Sequence, residues 1–423
     1  MFREITRCRI CGNQRLVEVL SLGTQYLTGV FPRRKDQKIA AVPLELVRCD
    51  DGGGANNGCG LLQLKHSYDL GQMYGENYGY RSGLNRSMVK HLNGKVQKIL
   101  SRVSLNEGDL VIDIGSNDST LLRAYPENGP VLAGIDPSGS KFKEFYPPHI
   151  ALIPEFFTAG AVRKHFPGKK AKVITSIAMF YDLEDPLNFM REVHEVLADD
   201  GLWVFEQSYM PAMLAMNSYD TVCHEHLEYY ALKQIKWMAD KAGFKIVNVE
   251  FNAINGGSFS VMMAKAGANY KAKDAVVAQI LKEEEAHGLD TMTPYRAFAE
   301  RVSAHRGELR RAIEGIWAEG KKVFGYGAST KGNVILQYCG ITEKELPFIA
   351  DVNREKFGAL TPGTLIPIIS EEEAAAKNPD CYLVLVWHFR DFILNKERPF
   401  CERGGKLLFP LPAIEFVDGS NLK

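Results

Sequence analysis

The sequence has no surplus of either charge, because 51 basic residues balance 51 acidic ones. A nucleic-acid-binding protein usually carries a basic excess or stripe, so this balance predicts no nucleic-acid partner and favours a small-molecule substrate. No apolar run reaches the roughly 18 residues that span a bilayer, which argues against a membrane protein. The opening residues Met1–Ile5 lack the apolar stretch of a signal peptide, so we expect a cytoplasmic protein.

No Gly-x-x-x-x-Gly-Lys-Ser/Thr loop is present, which argues against ATP hydrolysis. No short-period repeat is present either, which argues against a repeat architecture. The length of 423 residues exceeds one ordinary core and suits two or three domains. The sequence does not fix the oligomeric state, and a monomer is compatible with it.

Four of the eight cysteines fall within the first 60 residues, at Cys8, Cys11, Cys49 and Cys59. Cys8 and Cys11 have the usual spacing of zinc ligands, whereas the second pair encloses a longer glycine-rich insert. Four thiolates fill a tetrahedral site, so the predicted zinc is structural. The segment looks loop-like and too polar for a core of its own, which a metal would offset. Free thiols and a redox Cys-x-x-Cys are the alternatives.

From about residue 88, short apolar runs alternate with helical stretches, which predicts a doubly wound sheet. The predicted strands of this part are Leu110–Ile114, Val131–Ile135, Val173–Ile177, Leu202–Phe205, Lys245–Val249 and Phe259–Ala264. Residues 270–320 have a helical pattern and form a bridge to a second series. The predicted strands of that series are Val323–Tyr326, Phe348–Ala350 and Tyr382–Val386.

A glycine turn follows the first strand of the doubly wound part. Gly115 permits a sharp turn and a close ligand, and Asp113 can accept a hydrogen bond from that ligand. Asp136 ends the next strand, where an acidic residue accepts hydrogen bonds from ribose hydroxyls. Asn117 and Ser119 replace later glycines of the dinucleotide fingerprint, so a pyrophosphate would fit poorly. S-adenosylmethionine has no phosphate and tolerates this turn.

The turn therefore predicts a class I Rossmann-like methyltransferase domain that binds S-adenosylmethionine. Phe180 and Tyr181 follow a later strand, where either contact with the cofactor or ordinary packing would explain them. The predicted cofactor-binding residues are Asp113, Gly115, Asn117, Asp118, Asp136, Phe180 and Tyr181.

A second glycine turn, Gly325–Gly332, stands between a strand and a helix. The amides of a helix start suit a phosphate, and Lys331 could add charge. Asp351 could hold a hydroxyl group, and Arg390 either binds phosphate or forms a surface ion pair. The predicted substrate-binding residues of this part are Gly327, Ser329, Lys331, Asp351, Asn353 and Arg390. The same turn resembles part of a dinucleotide fingerprint, which leaves an NAD-dependent oxidoreductase open.

Four motifs follow one another along the chain: Cys8-x-x-Cys11, Asp113–Leu122, His224-Glu225-His226 and Gly325–Gly332. In this order they resemble the sugar-nucleotide C-methyltransferases, and the resemblance covers essentially the whole chain. It implies methylation of carbon 3 of a nucleotide-linked 4-keto-deoxysugar. It also implies three regions: a zinc-binding region (1–75), a methyltransferase domain (76–268) and a helical bridge with a second Rossmann-like α/β domain (269–423). The sugar nucleotide would lie between the last two.

Carbon methylation beside a ketone needs a base and a hydrogen-bond donor for the enolate oxygen. His226, beside Glu225, is the first choice for the base because histidine is readily poised near neutral pH, and His224 is second. Structural histidines are the alternative. The resemblance implies that Tyr80, Glu225 and His226 are active-site residues, and Tyr80 could be the donor.

The sequence departs from the family at Cys223, because the family's best-known members carry a tyrosine at this position. Cys223 and Tyr78 are nevertheless expected among the substrate-binding residues. The departure keeps O- or N-methylation of a related sugar open. A zinc-stabilised binding protein without turnover is a further alternative, against which the adjoining titratable residues argue.

Overall fold

The structure, a computed structural model, describes residues 2–50, 58–68 and 80–422. The described strands form four sheets, of two, four, seven and six strands. The predicted fold class, two α/β sheets behind a small cysteine-rich region, is confirmed. In these three ranges, no helix is long and apolar enough to cross a membrane.

The N-terminal region is built from strands. They are β1 (Phe2–Glu4), β2 (Leu16–Tyr26), β3 (Ala41–Cys49), β4 (Leu62–Leu64) and β5 (His66–Tyr68). The prediction that the segment around the cysteines is loop-like is therefore wrong. Apolar residues of β2 and β3, such as Leu20 and Leu44, share one hydrophobic cluster with the C-terminal sheet. The region thus folds on a core that another domain completes.

The central part forms a seven-stranded sheet in the order β12-β13-β10-β9-β6-β7-β8. Its elements are α1 (Arg86–Leu100), β6 (Leu110–Ile114), β7 (Val131–Ile135), β8 (Ile150–Ile153), α2 (Ala159–His165), β9 (Ala171–Ile177), α3 (Pro186–Val196), β10 (Leu197–Ser208), α4 (Met210–Ala215), β11 (Glu228–Tyr229), α5 (Leu232–Ala242), β12 (Phe244–Asn252) and β13 (Ser258–Lys265). Strands β10, β9, β6, β7 and β8 are parallel, whereas β13 is antiparallel to both neighbours. Parallel strands are covered on both faces, which explains the uninterrupted apolar runs.

A short 3-10 helix at Leu122–Ala124 follows the first glycine turn. Pro126 ends it by forcing Tyr125 into an extended conformation, with φ −78° and ψ 159°. Further 3-10 helices span Ser82–Leu84, Gly139–Phe145, Phe180–Asp182, Tyr219–Thr221, Ile254–Gly256, Arg354–Lys356 and Trp387–Phe389.

The C-terminal part forms a six-stranded sheet in the order β16-β15-β14-β17-β18-β19. Its elements are α6 (Asp274–Ala286), α7 (Thr293–Ala318), β14 (Val323–Tyr326), α8 (Thr330–Cys339), β15 (Ile349–Asp351), β16 (Ile368–Ser370), α9 (Glu371–Ala376), β17 (Cys381–Val384), α10 (Arg390–Lys396), α11 (Arg398–Glu402), β18 (Lys406–Phe409) and β19 (Glu415–Val417). Ser329 caps α8 by accepting from the Gly332 amide, and Gly340 ends it with φ 64°.

Candidate active site

The four N-terminal cysteines converge as predicted. The sulfur atoms of Cys8, Cys11, Cys49 and Cys59 all lie within 4.8 Å of one another. Two sulfur pairs, Cys8–Cys59 and Cys11–Cys49, are 3.5 Å apart. Zn–S bonds of about 2.3 Å place the sulfurs of a tetrahedral site about 3.8 Å apart, so the set fits one zinc ion. Because four thiolates would close the coordination shell, a zinc ion held here would be structural.

The first glycine turn is fixed by Asp136. Its carboxylate accepts hydrogen bonds from the Asn117 amide at 2.7 Å and from the Ser138 amide at 2.7 Å. Gly115 has φ 72°, and a Cβ atom there would lie 3.1 Å from Met179 Cγ. Asp113 accepts from Thr175 Oγ1 at 2.6 Å, and burial raises the pKa of its carboxyl group to about 7. Buried hydrogen-bond acceptors therefore lie beside the tight backbone turn at Gly115.

Asn117 and Asp118 hold a second segment against this turn. Asn117 Oδ1 accepts from the Ser82 amide at 3.0 Å, and Asp118 Oδ2 accepts from the Gly83 amide at 2.9 Å. Asn117 Nδ2 donates to the Tyr80 carbonyl at 3.1 Å, and the Tyr80 side chain is 49% exposed. These side chains therefore position the Tyr80 segment, while Tyr78 lies outside the described residues.

Phe180 and Tyr181 have different environments. Phe180 is fully buried, and its ring lies 5.7 Å from Trp203 and 5.2 Å from Phe205 between ring centroids. Its ring is thus part of the aromatic core under the sheet, as the packing alternative required. The Tyr181 ring lies 4.3 Å from the His226 ring, so Tyr181 belongs to the histidine cluster.

The His224-Glu225-His226 motif lies in a loop whose two histidines point apart. His226 Nδ1 is 2.8 Å from the Thr221 carbonyl, which makes Nδ1 the protonated nitrogen and leaves Nε2 as an acceptor. Burial first, and then the charge of Lys331, lower the pKa of His226 to about 4. His224 is fully buried against Tyr68 and the Val42 carbonyl, where burial lowers its pKa to about 4. The structure therefore places the His224 side chain against the N-terminal strands and not beside His226.

The zinc-binding region holds this loop. The Leu64 amide donates to the Leu227 carbonyl, and the Leu227 amide donates to the Tyr181 carbonyl, both at 2.8 Å. Directly after the loop, β11 pairs with β4 and becomes an edge of the N-terminal sheet. The loop is therefore fixed between the region that binds zinc and the end of β9.

The second glycine turn repeats the construction of the first. Asp351 accepts from the Ala328 amide and from the Asn353 amide, both at 2.7 Å. Gly327 has φ 86°, and a Cβ atom there would lie 2.6 Å from Val386 Cγ2. The Ser329 hydroxyl accepts a hydrogen bond from the Gly332 amide and so caps α8. Two Rossmann-like sheets in one chain thus carry the same turn, each fixed by an acidic residue at the end of the next strand.

Three family models match consecutive parts of the chain: a zinc binding domain at residues 8–74, a methyltransferase domain at residues 88–249 and a C-methyltransferase C-terminal domain at residues 253–412. C-methyltransferase NovU of Streptomyces niveus is 32% identical over 423 residues, which cover 99% of this chain and 98% of the relative. The chain belongs to the C-methyltransferase family. It is an S-adenosylmethionine-dependent enzyme, and the oxidoreductase and binding-protein alternatives are not borne out.

Two solved methyltransferases show partial similarity to this C-methyltransferase. The CcbJ methyltransferase of Streptomyces caelestis is 12% identical with a TM-score of 0.33, covering 42% of this chain and 90% of that one. An S-adenosylmethionine-dependent methyltransferase of Mesorhizobium loti is 16% identical with a TM-score of 0.33, covering 41% and 99%.

The described residues fit the cofactor that the C-methyltransferase uses. Asp113 and Asp136 offer buried carboxylates to amino and hydroxyl groups beside the backbone of Gly115. Asn117 and Ser119 adopt positive φ angles of 48° and 61° with side chains that a dinucleotide turn would replace by glycine. The cofactor supplies an electrophilic methyl group when it is bound.

The structure adds residues that the sequence interpretation missed or left aside. Asp220, fully buried, accepts from Trp387 Nε1 at 2.8 Å across the two domains. His388 lies next to that tryptophan, and burial together with the charge of Lys331 lowers its pKa. The sequence signal that could have pointed to Asp220 is its position four residues before His224. By contrast, Arg390 donates to Glu415 at 2.6 Å, which is the surface ion pair that the sequence left open.

Proposed function

We propose that the enzyme methylates the carbon beside the ketone of a nucleotide-linked keto-deoxysugar, with His226 as the base. The observation that carries this proposal is the orientation of His226. Its Nδ1 is bound to the Thr221 carbonyl, so the free lone pair is on Nε2, and the imidazole ring lies 4.3 Å from the Tyr181 ring. A neutral imidazole held in one tautomer is ready to accept a proton.

Each group of residues has a separate role in this proposal. His226 removes the α-proton, and Glu225 and Cys223, which adjoin it, contact the sugar. Tyr80 approaches from the segment on the first glycine turn. Asp113, Gly115, Asn117, Asp118, Asp136 and Tyr181 would hold the cofactor.

The nucleotide part of the substrate belongs, on this proposal, to the second glycine turn. Gly327 lets a ligand approach the backbone, while Ser329, Asp351 and Asn353 lie at the carboxyl ends of β14 and β15. The proposal keeps the division into residues 1–75, 76–268 and 269–423, in which each α/β sheet serves one ligand.

His226→Ala should lower turnover by about 10²–10⁴-fold and leave cofactor affinity nearly unchanged. In deuterium oxide with an inert cofactor analogue, wild type should exchange the α-proton of a keto sugar nucleotide and the variant should not. The exposed His149 offers a matched control, because His149→Ala should exchange like wild type. Equal exchange in His226→Ala would move Glu225 to first place. A methyl group found by product NMR on oxygen or nitrogen would end the proposal.

A further inference from the structure

The Lys331 side chain leaves its own domain. Its Nζ donates to the Asn255 carbonyl at 3.0 Å, in the loop between β12 and β13 of the seven-stranded sheet. Across the described residues, no carboxylate lies within the 4.0 Å of an ion pair. Burial lowers the pKa of this ammonium, whereas Asp220 and Cys223 raise it. A part-buried ammonium that bonds to one carbonyl retains donor capacity for a ligand.

Two series of contacts bring Lys331 close to the loop that carries His224, Glu225 and His226. A Cβ atom at Gly29 would lie 2.7 Å from Glu225 Oε1 and 3.7 Å from Thr330 Oγ1, so Thr330 and Glu225 border the same glycine. On the other side, a Cβ atom at Gly256, next to Asn255, would lie 3.2 Å from the Trp387 ring. That tryptophan bonds to Asp220, which directly precedes the residue that holds His226.

Polar atoms without a hydrogen-bond partner lie around Lys331 and the histidine loop. Within the described part of the chain, Asp220 Oδ1, Glu225 Oε2 and His388 Nδ1 are buried without a hydrogen-bond partner. Buried polar atoms are nearly always satisfied, so a cluster of exceptions indicates a polar ligand between the domains. By contrast, the amides at the start of α8 are partly used by Ser329 and Asp351, which leaves less for a phosphate there.

We propose that Lys331 is a catalytic residue whose ammonium donates a hydrogen bond to the carbonyl oxygen of the substrate. This inference rests on the proposed function. When His226 Nε2 takes the α-proton, the C–H electron pair forms a carbon–carbon double bond. The carbonyl π pair moves to oxygen, which becomes the enolate oxygen beside Lys331. The role differs from the diphosphate contact that the sequence predicts for this residue.

Lys331→Met should therefore lower turnover and α-proton exchange by about 10²–10³-fold, as loss of an oxyanion donor does. The probes are uridine and thymidine diphosphate and their 4-keto-6-deoxyhexose conjugates. Affinity for the free nucleoside diphosphates should be unchanged, because the lysine contacts the sugar. Lys331→Arg should recover part of the rate, and Lys344→Met, which removes an exposed lysine of the same domain, should behave like wild type.

The pH profile separates this role from a structural one. Burial first, and then the charge of Lys331, lower the pKa of His226 to about 4, so the acidic limb of kcat/KM should lie near pH 4 in wild type. Removing the charge raises that pKa, so the limb of Lys331→Met should move to higher pH. An unmoved limb with weakened nucleoside diphosphate binding would overturn the inference in favour of the diphosphate role. An unmoved limb with an undiminished exchange rate would overturn it outright.

Failure of the proposed function would look different. Wild type would then show no α-proton exchange and would place the methyl group on oxygen or nitrogen, which refutes both proposals. Exchange in wild type that persists in Lys331→Met refutes the lysine alone. Lys331→Gln, with unaltered cofactor affinity as the test of folding, replaces the methionine variant if that protein does not fold.

Discussion

At the scale of single residues, burial decides which groups of the site are neutral. Burial lowers the pKa of both His224 and His226 to about 4, yet their surroundings give them different roles. His224 packs on Tyr68 of the N-terminal region, whereas the His226 ring lies beside the Tyr181 ring. Side-chain direction in an irregular loop is therefore what separates a structural histidine from a candidate base.

Asp136 gives a prediction at this scale. Asp136→Ala should weaken cofactor affinity by about tenfold to a hundredfold, or about 1–3 kcal/mol, because it removes the proposed ribose acceptor and the bond that fixes the Asn117 amide. Isothermal titration calorimetry measures the loss. Asp351→Ala removes the same device from the second turn and should leave cofactor affinity intact. Equal affinity in wild type and Asp136→Ala would remove Asp136 from the cofactor site.

At the scale of elements, the loops between strands and helices bring the three regions together. Strand β11 follows the histidine loop and completes the N-terminal sheet, and the segment after β2 reaches α8, where Asn333 Nδ2 donates to the Thr28 carbonyl at 2.7 Å. Gly29 lies in that segment against Glu225. The N-terminal region therefore borders the site as well as holding zinc.

Gly29→Ala should disturb Glu225 without unfolding the chain. The new methyl group would lie 2.7 Å from Glu225 Oε1, the far end of a flexible side chain, so the carboxylate must move. We expect kcat to fall about tenfold to a hundredfold, as small misplacements near a reacting centre do, with little change in Tm. Gly94→Ala in α1 meets no atom within 4 Å and should keep the wild-type kcat. An unchanged kcat in Gly29→Ala would show that the carboxylate position does not matter.

At the scale of the whole molecule, the cysteine cluster lies in a region whose strand β4 pairs with β11, directly after the histidine loop. The purified protein should hold about one zinc per chain by elemental analysis, and Cys11→Ser should reduce both zinc content and Tm. Because β4 supports β11 and the histidine loop, methyl transfer should fall as well. Cys401→Ala, a buried cysteine of another domain, should retain its zinc. A metal-free chain that keeps full stability would contradict the site.

Local spacing along the chain was enough to predict several features. Cysteine spacing predicted the zinc ligands, apolar runs predicted the parallel strands, and Gly115 with Asp136 predicted the first turn, because each signal is carried by neighbouring residues. The folded chain was needed to show that Phe180 is core, that His224 points away from His226, and that Lys331 crosses to Asn255. These outcomes depend on side-chain direction and on contacts between distant segments, which no local pattern records.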